Sequence, residues 1–73
     1  MRQFRFPLVL SPEQVLWYYQ GHITAVVVQA DSGETVQLEL RHFRSFIRHE
    51  GIRARFELST TEHGKFIALK KIN

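Results

Sequence analysis

Ile23-Thr24-Ala25-Val26-Val27-Val28-Gln29-Ala30, then Asp31-Ser32-Gly33, then Glu34-Thr35-Val36-Gln37-Leu38-Glu39-Leu40: this stretch decides how the chain is read. Two β-rich runs split by a three-residue turn containing Gly predict a β-hairpin. With Asp31-Ser32-Gly33 as a type I turn and Gly33 in the left-handed position, Ala30 faces Glu34. Val28/Val36 and Val26/Leu38 then become cross-strand pairs, and one face of the hairpin is uniformly apolar.

Upstream, Gln3 to Leu10 alternates strictly, with Phe4, Phe6, Leu8 and Leu10 on one side and Arg5, Pro7 and Val9 on the other, which predicts a half-buried strand. Pro7 has no N–H to give, so this strand belongs at a sheet edge or turns its bond-poor side outward. Ser11-Pro12-Glu13-Gln14 is a helix start: Ser11 as N-cap, Pro12 in the first helical position, Gln14 placed to complete a capping box. Gly21 supplies a left-handed stop. On this helix Val15, Leu16 and Tyr19 fall on one face with Tyr18 beside them, and Trp17 points away.

Downstream, Arg41 to His49 has helical spacing. Leu40, Phe43, Phe46 and Ile47 cluster on one side, and Arg41, Arg44 and Arg48 fall at i, i+3 and i+7 on another, predicting a short helix or 3₁₀ turn that Gly51 ends. Ile52 to Ser59 alternates again, Ile52, Ala54, Phe56 and Leu58 inward and Arg53, Arg55 and Glu57 outward. A loop through Gly64 leads to a last strand, Lys65 to Ile72, and closes a second hairpin. The order is β-α-β-β-short helix-β-β, an α+β chain. Both faces of Val26-Val27-Val28 and of Phe66-Ile67-Ala68-Leu69 are apolar, so the expected architecture is a five-stranded antiparallel curved sheet or a partly open barrel, with the helix plugging one side or end.

Composition sets the outer limits. Seventy-three residues make one domain, 1–73, and 44% hydrophobic residues are enough for it to fold without a partner. The absence of cysteine excludes disulfides, thiolate metal sites and thiol nucleophiles. The amino end is broken by arginines and carries no long apolar run, so neither a signal peptide nor a membrane span is expected, and the expected location is cytoplasmic.

Leu10-Ser11 before a helix, Tyr18-Tyr19-Gln20-Gly21 closing it, a Val-rich strand, an Asp-Ser-Gly turn, Leu40-x-x-Phe43-x-x-Phe46, Gly51-Ile52-x-Ala54-x-Phe56 and Lys65-Phe66 together resemble a family of short bacterial proteins known as domain of unknown function 2835. The chain has Ala54 where that family's pattern has Gly, and Ser45 near its Pro. The resemblance spans nearly the whole chain and implies a bacterial, cytoplasmic protein. It supplies no activity, substrate or site.

Five arginines between Arg41 and Arg55 against a single acid, Glu50, are the best functional feature. Arg41, Arg44 and Arg48 on one helical face, with Arg53 and Arg55 outward on the next strand, would form a contiguous basic surface that cradles phosphates bidentately. The bland alternative is solvated faces paired with Glu39, Glu50 and Glu57, worth little in stability. The phenylalanines sit at core positions, and no aromatic pair alternates outward beside the arginines, which weakens a nucleic-acid reading. Trp17 is either an anchor for a protein partner or a cover for the end of the barrel.

His22, His42, His49 and His63 lie at no ligand-like spacing, so no metal or other cofactor is expected. No phosphate loop, nucleophile elbow or close carboxylate pair is present, so catalysis is not expected. Arg44-x-x-x-Arg48 matches one half of the motif of bacterial small-barrel cyclic-dinucleotide receptors, and the Asp/Asn-x-Ser-x-x-Gly half is missing. The expectation is a non-enzymatic binding module that presents Arg41, Arg44, Arg48, Arg53 and Arg55, with Trp17, to an acidic protein or nucleic acid. Its alternative is a structural protein that assembles through its apolar strand faces, as a homo-oligomer or within a larger complex.

Overall fold

A computed structural model describes all 73 residues. Its elements run β1 (Arg2–Leu10), α1 (Pro12–Tyr19), β2 (Ala25–Gln29), β3 (Thr35–Glu39), a 3₁₀ turn (Leu40–Phe43), β4 (Ile52–Thr60) and β5 (Phe66–Lys71). The five strands form two antiparallel sheets, β1-β4-β5 and β2-β3, which do not close into a barrel.

The β2-β3 hairpin has the predicted register, Val28 opposite Val36 and Val26 opposite Leu38. Its turn is built as expected: the Ala30 N–H donates to the Glu34 carbonyl, the Gly33 N–H donates to the Ala30 carbonyl, and Gly33 has φ +93°. β1 is an edge strand paired to β4, with Phe6 opposite Phe56 and Phe4 opposite Leu58. Alternation along β1 puts Phe4, Phe6, Leu8 and Leu10 in the core and leaves Val9 exposed.

A single curved sheet is not what forms, and Pro7 supplies a reason. The Arg5 carbonyl accepts from the Asp31 N–H at 2.8 Å, so at Arg5 the β1 backbone faces away from β4 and toward the first hairpin. Pro7, two residues on, faces the same way and has no N–H, so a ladder between the sheets cannot continue past that one bond. The Asp31 carboxylate adds an ion pair to Arg55 on β4. The two sheets are joined mainly through shared core.

At the centre of that core are Phe6, Phe43 and Phe56, all fully buried. Phe43 meets Phe56 edge-on at 5.1 Å between ring centroids and Phe6 at 6.3 Å, the favourable arrangement for two ring quadrupoles. The 3₁₀ turn drops Leu40 and Phe43 into this cluster, and Ile47 follows after it.

Three expectations need correction. On α1 the inward stripe is Val15 and Tyr18, whereas Leu16 and Tyr19 are exposed. An eight-residue helix lying chiefly against β1 buries one narrow i, i+3 row and no wider face. The helix from Arg41 to His49 is only the 3₁₀ turn followed by further turns, so Arg41, Arg44 and Arg48 do not share a helical face. This segment has no side-chain cap where α1 has a full capping box, and its shape follows the burial of Leu40, Phe43 and Ile47. Glu57 lies on the outer side of β4 as predicted, yet it is buried, covered by Arg5 and Lys70 from the flanking strands.

Candidate basic binding surface

The turn between the 3₁₀ segment and β4 positions the candidate site. The Gly51 N–H donates to the Arg48 carbonyl at 3.0 Å, and Gly51 has φ +99°. A side chain there would run into the carbonyl of Leu10, so glycine is required for the turn to pack against the end of β1. That packing places Arg48 on one side of the turn and Arg53, on the outer face of β4, on the other.

Arg48, Glu50, Arg53 and Lys71 line a hollow of about 330 Å³, with half-buried Phe46 among its lining residues. A second hollow of about 250 Å³ adjoins it, sharing Arg48 and Glu50 and walled by Tyr19 and His49. Tyr19 is 58% exposed, so an aromatic ring stands beside the arginine surface. Arg53 also borders a further hollow that reaches Arg55 and Pro7.

The ion pairs separate the five predicted arginines. Arg41 donates to Glu39 at 2.8 Å, and Arg55 is paired with Asp31. Arg44, Arg48 and Arg53 have no carboxylate partner, and neither do Lys65 and Lys71. Glu50 carries no ion pair, and Glu57 is held by Arg5 and Lys70, so of the carboxylates expected to neutralise these arginines only Glu39 does so. Arg48 and Arg53 come together; Arg55 is adjacent but paired; Arg41 and Arg44 line none of these hollows. Trp17, 40% exposed on α1, lines none of them either.

Two members of the site escape a reading of the sequence. Lys71 reaches it because β5 pairs with β4 in a register that sets Lys71 opposite Phe56, and only that register reveals it. Helical spacing alone puts Tyr19 on the buried face with Val15 and Leu16, and the signal against that is the Val15/Tyr18 spacing, which by itself accounts for a narrow contact.

A larger hollow, about 410 Å³, lies elsewhere, between β3 and the start of β5. Its charges are satisfied: Arg2 donates to Glu34 at 2.7 Å. His42 lies flat on Phe66 with 3.8 Å between ring centroids, which shields rather than presents the imidazole. The structure gathers no group of three His, Asp or Glu side chains able to hold a metal ion. No helix is long and apolar enough to cross a membrane.

Residues 2–72 match the family described as protein of unknown function (DUF2835). No curated protein sequence and no solved structure matches the chain.

Proposed function

The chain belongs to the DUF2835 family of proteins of unknown function, and from that premise we propose that it is a non-enzymatic binding module whose Arg48, Arg53 and Lys71 receive an anionic partner. One observation carries this reading: three cations line one concave surface and none of them is bound to a carboxylate. A guanidinium without an internal partner can grip phosphate or carboxylate through paired N–H donors without first breaking an existing bond. Clustered like charge also speeds encounter with an anion in a salt-dependent way. The net charge of +3 adds to this field.

The competing reading, assembly through apolar strand faces, rests on Val27, Phe66 and Ile67, which are exposed. Val27 belongs to one sheet and the other two to the second, and no hollow brings Val27 together with them.

The test is retention on an immobilised polyanion. The double variant Arg48→Glu/Arg53→Glu should elute at clearly lower salt than Arg44→Glu/Lys65→Glu, which removes the same net charge from unpaired cations outside the hollow. Equal retention of the two would mean that overall charge, and no particular surface, does the binding.

A further inference from the structure

We infer that the anion received by this surface is single-stranded nucleic acid, with its phosphates on Arg48, Arg53 and Lys71 and a base stacked on Tyr19; the inference rests on the basic-surface reading above. The first ground is the pairing of unpartnered cations with an exposed aromatic ring. Tyr19 and Arg48 wall one hollow, and Arg48 continues into the next with Arg53 and Lys71. Single-strand binding uses this combination, a cationic track for the backbone and a ring on which an unstacked base can lie. Tyr18 lies against the Tyr19 ring at a tilt, 5.4 Å between centroids, and a duplex, which keeps its bases stacked inward, would bring no base to the exposed part of that ring.

The second ground is Glu50, shared by both hollows and free of any ion pair. A carboxylate in the lining repels phosphate as it repels an acidic polypeptide, so its charge does not choose between them. Toward a nucleobase it is an asset, since a carboxylate accepts hydrogen bonds from amino groups on base edges, as in contacts to the cytosine amino group. The lining therefore carries cations, a ring on which a base can stack and a carboxylate that can accept from a base edge. A string of phosphates bearing exposed bases matches that; a string of carboxylates does not.

Fluorescence anisotropy with labelled oligouridylate, oligocytidylate and a duplex of matched length, at low and moderate salt, tests this on the full chain. Both single strands should bind more tightly than the duplex, with affinity falling as salt rises. Tyr19→Ala should weaken single-strand binding by roughly tenfold or more while Tyr19→Phe retains it. Because Tyr19 is 58% exposed, both variants should keep the fold, which amide NMR spectra would check.

If the duplex binds as well as the single strands, or Tyr19→Ala changes nothing while Arg48→Glu/Arg53→Glu abolishes binding, the inference of a single strand stacked on Tyr19 is overturned and the basic surface stands. If none of the three nucleic acids binds at low salt, the inference falls, and retention on the polyanion resin then decides whether the broader reading falls with it.

Discussion

Glu57 shows how much chemistry one residue position can hide. Its carboxylate, 8% exposed, accepts from the Arg5 Nε at 2.9 Å and lies 3.3 Å from the Lys70 Nζ. The hydrogen bond from Arg5 comes first in lowering its pKa, Lys70 adds to that, and together they outweigh burial, which acts in the opposite direction. A carboxyl whose pKa is depressed on folding contributes stability that is fully present above the ordinary Glu range, about 4.3, and is lost as pH falls through it toward the folded value. Glu57→Gln should therefore melt below the wild type at neutral pH, with the gap closing in acid. Melting curves that run parallel across that range would exclude Glu57 as the source. Gly51 is the other residue that decides something locally. Gly51→Ala should cost about 2 kcal/mol or more, because left-handed strain adds to collision with the Leu10 carbonyl. Gly21→Ala, with nothing within 4 Å, should cost less, from strain alone. Denaturant midpoints of the two variants make the comparison, and equal losses would show that the Gly51 packing does not matter.

At the scale of elements, what could be read from sequence depended on whether the signal was local. The capping box is entirely local, and it forms: the Gln14 N–H donates to Ser11 Oγ at 3.1 Å, and the Ser11 N–H donates to Gln14 Oε1 at 2.9 Å. At the other end, the His22 N–H donates to the Trp17 carbonyl at 2.9 Å and the Gly21 N–H to Tyr18 at 3.0 Å, a Schellman closure. Ser11→Ala should cost about 1 kcal/mol in denaturant unfolding and speed exchange of the first-turn amides. Unchanged exchange at Gln14 would mean that packing under Val15, not the cap, holds the helix start. The faces of α1 and the course of Arg41 to His49 depend on what lies beneath them, and the spacing of apolar residues does not say how wide the contact will be.

At the scale of the whole molecule, the candidate site depends on distant pairings, so it was only half legible. Arg48 and Arg53 could be picked out of the sequence, but Asp31 taking Arg55, Glu39 taking Arg41 and β5 delivering Lys71 could not. β1 and β2 lie side by side with one backbone bond from Asp31 to Arg5 between the sheets, and the far edges, on β3 and β5, could pair with another chain. Both edges carry protection. β3 is five residues long and bracketed by Glu34 and Glu39; β5 has a register shift opposite Ser59/Thr60 and ends in Lys70-Lys71. Short length, terminal charge and a bulge are the devices by which sheet edges avoid edge-to-edge pairing. Sedimentation should therefore give the mass of one 8.6 kDa chain across concentration and at every ionic strength. A mass that grows with concentration and ignores salt would favour assembly through the apolar faces, and Ile67→Lys would then restore the single chain. A mass that grows only at low salt would point instead to Glu39-bearing and Lys71-bearing edges pairing between copies, and would place part of the basic surface inside an interface.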